Sequence, residues 1–481
     1  FTGHDDGKGH ALAVALPDDV LQAIVAAGLA NKTPDRSNDC GKTDSCNNGY
    51  SGDNTHPGTT SANITQQNYF ANAVTKAILP KFTQDGRPFV LVFWSRDPDG
   101  TQHNQGDSLH QLTPGINGPT SRKALANADA DLKQIVDFIN ADPKLRNNTD
   151  IFITSDHGFA TISRHEVNRA MAPTQSYSAT FSYKNSDGQL EIPSGSLPNG
   201  FLAIDLAHAL KLNLFDPDQV LSVADGKNVY RRVDPTGTIP EAVQHPQRGD
   251  GLLGEKVEMP DGSDASVIVA ANGGSDLIYL PDHDRDRAQA IVEFLSSQDY
   301  VGGIFVDYSR YGPMAGALDL TDVSLAGSAR LPRPAMAVAF KKFNLQPGDR
   351  QTAAQIADTV LQEGQGMHGG LGRDSTFNNM AVIGPDFKQR YTDASPVGNA
   401  DIAPTVARIL GFELPANGRL TGRVAAEALR IGPHATAYSK KVASSPAVHG
   451  RRTLLHYQQV GSERYLDEAC FLEQSKVACE P

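Results

Sequence analysis

The sequence predicts an α/β fold, with a central, mostly parallel sheet flanked by helices and an inserted smaller region. Two kinds of observation lead to this prediction. Continuous apolar runs at 89–94 and 151–154 are typical of strands buried on both faces. Between them, residues 120–140 carry an apolar stripe with helical spacing, formed by Leu125, Ala128, Leu132, Ile135, Val136 and Ile139. A helix between two buried strands is the pattern of a parallel α/β unit.

The other elements follow from the same patterns of apolar spacing, turn residues and helix caps. Residues 31–62 are rich in Asn, Asp, Gly, Ser and Thr, and they predict a long surface loop. Asp401 stands at the first turn of its helix, where we expect it to stabilise the helix rather than to bind a ligand. We predict strands at 200–204, 276–280, 303–306 and 379–384, and helices at 18–30, 66–83, 207–212, 285–298 and 399–411.

Composition excludes several classes of protein. Of the 481 residues, 39% are hydrophobic and 20% are charged, so the chain has enough apolar surface to bury a sizeable core. The net charge is -12, and no Lys/Arg-rich run is present, so we expect no structural nucleic acid. No apolar stretch approaches the roughly 20 residues of a membrane-spanning helix, and no signal peptide opens the chain.

The four cysteines form two close pairs, Cys40 with Cys46 and Cys470 with Cys479. Both pairs lie in polar, turn-rich segments, and neither has the C-x-x-C spacing of a zinc ribbon. We therefore predict two local disulfides. Such bonds are typical of exported proteins, so we expect a periplasmic or secreted location.

Three separate clusters carry residues that commonly bind metals, and each lies near the end of an apolar run or in a Gly-rich loop. Any one of them has an ordinary explanation: an Asp-Pro-Asp-Gly turn, an Asp that caps a helix, or a flexible Gly-rich loop. Together, two carboxylates and three imidazoles suit Zn²⁺, which accepts oxygen and nitrogen ligands. The candidate metal ligands are Asp99, His103, Asp156, His157 and His368.

These clusters resemble the motifs of the alkaline phosphatase superfamily, and within it the nucleotide pyrophosphatase/phosphodiesterase branch. Residues 97–103 (DPDGTQH) are similar to that branch's acid-Pro-Asp-x-x-Gly-His element, and 154–159 (TSDHGF) to its Ser-Asp-His-Gly-Met element. Residues 367–369 (MHG) match its late His-Gly, and 401–405 (DIAPT) match its closing helix. The similarity is good over roughly 85–165 and 350–425, and poor elsewhere.

The resemblance implies two Zn²⁺ ions as cofactors and a small phosphate ester as the substrate. Asp99, His103 and His368 would bind one ion, and Asp156 and His157 the other. Two such ions hold a phosphoryl group between them. In the family, a Ser or Thr hydroxyl is the nucleophile that forms a covalent intermediate.

Neither the nucleophile nor a further metal-binding Asp is found upstream of residue 88. Thr59, Thr60 and Ser61 do not follow an apolar strand, and Thr2 has no room for one. Because the chain also begins abruptly, we expect an upstream segment to supply both. The alternative is an inactive relative, or fragment, that acts as a metal-stabilised binding protein. A phosphomonoesterase of the same superfamily is the third reading, whereas a sulfatase is disfavoured because no C/S-x-P-x-R element is present.

On this basis we predict four parts along the chain. Residues 1–159 form the first part of the α/β metal-hydrolase domain, and 346–430 form the second. Residues 160–345 form an insertion or sheet extension on the substrate side. Residues 431–481 form a C-terminal extension.

Overall fold

A computed structural model describes most of the chain, and all structural statements below refer to its described residues. These are residues 16–34, 57–165, 176–185, 187–327, 331–346, 349–415, 422–434, 436–473 and 479. The predicted Cys40–Cys46 disulfide and most of the predicted loop at 31–62 lie outside them.

The structure is a mixed α/β fold that contains a large sheet of many strands, and helices occur throughout the described chain. The α-helices are α1 (Asp18–Ala26), α2 (Ile64–Ala73), α3 (Leu79–Gln84), α4 (Asp99–Asn104), α5 (Pro119–Ala141), α6 (Pro143–Arg146), α7 (Phe201–Leu210), α8 (Arg285–Leu295), α9 (Tyr308–Tyr311), α10 (Arg373–Thr376) and α11 (Ile402–Leu410). The predicted helices at 18–30, 66–83, 120–140, 285–298 and 399–411 are confirmed in type, and their bounds shift by a few residues.

The strands are distributed over several sheets. They are β1 (Ile151–Thr154), β2 (Ala160–Ser163), β3 (Tyr183–Lys184), β4 (Leu190–Ile192), β5 (Asn213–Ala224), β6 (Lys227–Val233), β7 (Gly251–Gly254), β8 (Val267–Ala271), β9 (Ser275–Tyr279), β10 (Val301–Val306), β11 (Leu318–Asp319), β12 (Met336–Phe340), β13 (Lys342–Gln346), β14 (Asp349–Ile356), β15 (Gly366–Met367), β16 (Met380–Ile383), β17 (Ser439–Ser444), β18 (Arg451–Val460) and β19 (Glu463–Glu473).

The largest described sheet has eight strands in the order β11-β10-β12-β9-β8-β7-β5-β6. All of its neighbouring pairs are antiparallel except β10 with β11. The prediction of a mostly parallel central sheet is therefore not confirmed. Helices α7 and α8 bury apolar side chains in the core that this sheet forms, and Phe201 and Ile291 are among the fully buried ones.

The apolar run at 89–94 differs from its prediction. It is not paired as a strand with any described residue, and Val92 is 85% exposed and Trp94 65% exposed. The prediction of a strand buried on both faces is wrong here, because burial requires neighbouring strands and helices on each side. Strands β1 and β16 are confirmed, and they form a two-stranded antiparallel sheet that is only partly covered.

The predicted strand at 200–204 is also wrong, because this segment opens helix α7. Gly200 precedes the helix with a φ of 70°, and the apolar residues that follow are buried on all sides of the helix. A short run of continuous apolar residues does not distinguish a buried helix from a buried strand.

A smaller sheet connects the two halves of the candidate site. Its strand order is β13-β14-β2-β15. Strand β2 runs parallel to β14 and antiparallel to β15, so Ala160 lies opposite Met367. This register places the residues just before β2 beside the residues just after β15.

The C-terminal part forms a three-stranded antiparallel sheet, β17-β18-β19. The predicted disulfide between Cys470 and Cys479 is confirmed, with the two Cα atoms 5.6 Å apart. Arg373 forms a bidentate ion pair with Asp467, which ties this sheet to α10 beside the candidate site. Among the described helices, none combines the length and apolarity that crossing a bilayer demands.

Candidate metal centre

Helix α4 presents the first pair of candidate ligands. Asp99 and His103 are one helical turn apart, and Nε2 of His103 lies 3.3 Å from Oδ1 of Asp99. The preceding Asp97 is buried and has another role. It accepts hydrogen bonds from Nδ2 of Asn63 (2.6 Å) and Oγ1 of Thr101 (3.0 Å), and it thereby anchors the start of the helix.

The second pair lies in the turn that follows β1. The side chain of Asn399 holds this turn, because Nδ2 donates to the carbonyl oxygens of Ser155 (2.8 Å) and Asp156 (3.4 Å). Oγ1 of Thr154 in turn donates to Oδ1 of Asn399 at 2.8 Å. A side chain at Gly158 would collide with the carbonyl oxygen of Asp374. The glycine is therefore required by this close approach.

His368 lies in the loop after β15, which is held by the turn between β8 and β9. The N–H of Gly274 donates to the carbonyl oxygen of His368 at 2.9 Å. Oγ of Ser275 donates to the carbonyl oxygen of Gly369 at 2.7 Å. Gly369 has a φ of 87°, a left-handed conformation that other residues rarely adopt. The region predicted to be a substrate-side insertion thus supports the backbone of a candidate ligand.

The three imidazoles converge on one carboxylate oxygen. The Nε2 atoms of His103, His157 and His368 lie 3.3, 3.7 and 3.7 Å from Oδ1 of Asp99. Oδ1 is buried, and within the described chain it has no aligned hydrogen bond. Burial alone would raise the pKa of Asp99, but the imidazoles, His103 foremost, hold that pKa below its usual value. The carboxylate is therefore ionised and available to a cation.

Backbone contacts orient two of the imidazoles. Nδ1 of His103 lies 2.8 Å from the carbonyl oxygen of Gly366, and Nδ1 of His157 lies 3.0 Å from that of Gly158. Because a carbonyl oxygen can only accept, these contacts place a proton on Nδ1 of each ring and turn Nε2 towards Asp99. Metal-binding histidines in proteins are commonly held in this way.

His368 is suited to metal binding by its protonation state. Its ring stacks on that of His157 with a centroid distance of 3.7 Å. Burial, followed by the neighbouring His157 and His103, lowers the pKa of His368 to about 4. The imidazole is therefore neutral at neutral pH and carries a lone pair that can bind a cation.

The donor atoms of Asp99, His157 and His368 lie within 4.8 Å of one another. A tetrahedral zinc ion with ligand bonds of 2.0–2.1 Å requires ligand atoms about 3.4 Å apart, so small side-chain movements would complete such a site. Three protein ligands with one open position are typical of catalytic zinc. The described residues therefore fit a bound zinc ion.

The grouping of ligands differs from the one that the resemblance implies. His157 joins Asp99 and His368, and His103 stands beside Asp99 but outside this group of three. The side chain of Asp156 is 59% exposed, and Oδ1 lies 3.7 Å from Nε2 of His157. The division of the five residues between two zinc ions stays a prediction.

Neither Thr59 nor Thr60 is placed by the fold in an environment typical of a catalytic nucleophile. Thr59 is fully buried, and Oγ1 donates to the carbonyl oxygen of Ser61 at 2.8 Å. Its backbone N–H donates to the carbonyl oxygen of Asn104, so this segment packs beside the end of α4. Thr60 is exposed. No nucleophile is assigned among the described residues.

Two residues of this centre were missed by the sequence analysis. Asn399 holds the turn at Ser155 and Asp156, and the ring of Phe159 contacts all three imidazoles. Phe159 is the last residue of the motif at 154–159, so its proximity to the candidate ligand His157 could have been predicted from the sequence. Nothing in the local sequence marks Asn399, because its partners are more than 240 residues away.

The fold and the site define a protein with a candidate metal centre of the kind that hydrolases use. Residues 24–227 match the family model of type I phosphodiesterase / nucleotide pyrophosphatase, a match that covers less than half of the chain and contains Asp99, His103, Asp156 and His157. The resemblance to the nucleotide pyrophosphatase/phosphodiesterase branch of the alkaline phosphatase superfamily is thereby confirmed. No curated protein and no solved structure matches the chain.

The matched family is one of hydrolases that act on phosphodiesters and pyrophosphates, and this supports an activity of that general type. The described Cys470–Cys479 disulfide fits an exported protein.

Proposed function

We propose that this protein hydrolyses phosphate diesters or nucleotide pyrophosphates with zinc bound at Asp99, His157 and His368, assisted by His103 and Asp156. The observation that carries the proposal is the convergence of three Nε2 atoms on Oδ1 of Asp99. A structural role alone does not require three imidazoles around one ionised carboxylate. As in the resembling family, we propose two zinc ions. Asp156 would contribute to the second, because Nδ1 of His157 contacts the carbonyl oxygen of Gly158 and its Nε2 is used by the first ion.

The residues of the centre have distinct tasks in this proposal. Bound zinc would neutralise the charge of a phosphoryl group and polarise its oxygens. Asp99 holds the negative charge that attracts the cation, and the hydrogen bonds from Nδ1 of His103 and His157 fix the direction of each lone pair. The chain has a net charge of -12, so the centre must supply the local positive charge that an anionic substrate needs.

The test compares turnover of an aryl phosphate diester, an aryl phosphate monoester and an aryl sulfate by the zinc-loaded chain. We expect the diester to be hydrolysed fastest, and we expect a chelator to abolish turnover and added zinc to restore it. Asp99→Ala and His368→Ala should lose zinc and activity together. His434→Ala is the matched control, because this imidazole is exposed and lies outside the centre.

Each contrary result has a defined meaning. Sulfate turnover above that of both phosphates would overturn the substrate class, and monoester turnover above diester turnover would identify a phosphomonoesterase. Turnover that survives complete zinc removal would overturn the metal centre. Tight zinc binding without hydrolysis of any substrate would favour the second candidate, a metal-stabilised binding protein, which the unassigned nucleophile supports.

A further inference from the structure

Phe159 occupies a position that the topology places against the candidate metal centre. It follows the turn at Gly158 and directly precedes β2. Because Ala160 of β2 lies opposite Met367 of β15, the antiparallel register places Phe159 across from His368. The residue thus belongs both to the segment that carries His157 and to the sheet that carries His368.

The ring of Phe159 contacts all three imidazoles of the centre. Its centroid lies 4.8 Å from that of His103, 5.4 Å from that of His368 and 5.8 Å from that of His157. The first two contacts are edge-to-face, with interplanar angles of 66°. Edge-to-face contacts at such distances are favourable, and they also restrict rotation of both rings.

Gly366 provides the space for this arrangement. A Cβ atom at Gly366 would lie 2.6 Å from Cε1 of Phe159, so a larger residue would displace the ring. The carbonyl oxygen of Gly366 is the partner of Nδ1 of His103. One glycine therefore admits the aromatic ring on one side and fixes the tautomer of an imidazole with its backbone.

Simple packing in the core does not account for these contacts. Phe159 is only partly buried, and its aromatic neighbours are the imidazoles rather than the rings of the main apolar core. An aliphatic side chain could fill a similar volume, but it would offer no planar face or edge to hold three rings in fixed orientations. The planarity of Phe159 is thus the property that the centre uses.

We propose that Phe159 is a positioning residue that sets the orientation of His103, His157 and His368, and thereby sets the zinc affinity of the centre. This inference rests on the proposed function, because it assumes that these imidazoles bind zinc. It assigns no contact between Phe159 and the substrate. The resembling motif has Met at this position, so the device belongs to this chain's own sequence.

The test measures the zinc dissociation constant by competition with a chelator. Loss of an outer partner of a metal ligand typically weakens affinity about 10–100-fold, and we expect Phe159→Leu to lie in this range. Phe159→Tyr retains the ring and should keep an affinity near that of the unmodified chain. Phe152→Leu is the matched control, because Phe152 makes an edge-to-face contact with Phe387 outside the centre; it should leave zinc affinity unchanged.

A readout on the unmodified chain keeps the inference testable even if Phe159→Leu does not fold. In the zinc-free protein, nuclear Overhauser effects should connect the Phe159 ring protons with the ring protons of all three histidines. Their absence would overturn the inference, and so would Phe159→Leu that folds and binds zinc as tightly as the unmodified chain. Failure of the unmodified chain to bind zinc would instead overturn the proposed function.

Discussion

At the scale of single residues, the candidate ligands depend on partners that carry no metal-binding group themselves. Carbonyl oxygens of Gly366 and Gly158 orient two imidazoles, and the amide of Asn399 holds the turn before His157. Such outer partners fix ligand direction, which decides affinity as much as ligand identity does. They also come from distant parts of the chain.

Asn399 should therefore act on the metal centre without touching the metal. Asn399→Ala removes one acceptor for Thr154 and the donor to Ser155 and Asp156, so the turn that presents Asp156 and His157 is released. We expect zinc affinity to fall about 10-fold or more, as for other outer partners of metal ligands. The free energy of unfolding should fall by only about 1 kcal/mol, because water can replace these partly exposed hydrogen bonds.

Asn148→Ala provides the matched control for this prediction. Nδ2 of Asn148 also donates to a backbone carbonyl oxygen, that of Lys144 at 3.0 Å, but at the exposed end of α6. It should change neither zinc affinity nor turnover. Equal zinc affinity of Asn399→Ala and the unmodified chain would show that the hydrogen bonds of Asn399 serve the local fold alone.

The sequence predicted the residues of the centre better than it predicted their supports. Asp99, His103, Asp156, His157 and His368 were found because short motifs keep each residue at a fixed place relative to a strand or loop. The roles of Asn399 and Phe159 were not predicted, because they arise only when distant segments of the chain come together in the fold. The same limit applies to the grouping of His157 with Asp99 and His368, which depends on how the β1 turn approaches α4.

At the scale of elements, the run at 89–94 shows that an apolar pattern alone does not determine whether a segment is buried. Its composition is that of a buried strand, yet Val90, Val92 and Trp94 are largely exposed. Hydrophobicity indicates that a segment gains free energy when it is covered, but it does not supply the neighbour that covers it. Exposed and unpaired apolar segments of this kind are prone to pair with other strands.

The exposure of this segment predicts a fluorescence result. Trp94 is the only tryptophan of the chain, and its side chain is 65% exposed. We expect an emission spectrum close to that of indole in water and efficient quenching by acrylamide. Trp94→Phe should abolish the signal and so serve as its control. A blue-shifted emission that resists acrylamide would show that the segment is covered in solution.

The turn residues of the large sheet explain why its strands are antiparallel rather than mostly parallel as predicted. Asp225 and Gly226 join β5 to β6 with φ values of 53° and 74°. An Asp-Gly pair between two strands is a strong signal of a tight hairpin, and hairpins make antiparallel pairs. Asn272, Gly273 and Gly274 make a second such connection between β8 and β9. The turn residues, rather than the apolar runs, determined the direction of these strands.

At the scale of the whole molecule, the confirmed family match and the antiparallel sheet occupy overlapping parts of the chain. The match ends at residue 227, at the start of β6, whereas His368 comes from well beyond it. The β8–β9 turn lies beyond the match as well, and it holds the loop of His368. Formation of the centre therefore requires the large sheet to be folded, which couples metal binding to global stability.

Global stability also depends on carboxyl groups in the interior. Asp205 is fully buried in α7, and Oδ1 accepts a hydrogen bond from the N–H of Ser178 at 2.7 Å. Burial raises the pKa of Asp205 to about 7, although the hydrogen bond from Ser178 opposes the shift. Burial also raises the pKa of Asp358 to about 7. Neutral forms of these acids are favoured in the folded chain.

The raised pKa of Asp205 predicts that the free energy of unfolding falls as the pH rises. Below its ordinary pKa of 3.8, Asp205 is protonated in both states. Between that value and about 7, only the folded chain keeps the proton, so stability falls by at most about 1.36 kcal/mol per pH unit for this one group. Above about 7 the loss is complete. Asp205→Asn cannot ionise, so its stability relative to the unmodified chain should rise from pH 4 to 7 and then level.

Urea unfolding at matched pH values and in the presence of a chelator measures this difference without the contribution of zinc binding. The exposed Asp187 provides the control, because Asp187→Asn should shift stability little at any pH. A constant difference between Asp205→Asn and the unmodified chain across this range would mean that Asp205 is already ionised in the folded state. In that case Ser178, the phenol of Tyr300 and water would have to compensate a buried negative charge at every pH tested, and Tyr300→Phe should cost the same stability at pH 5 as at pH 8.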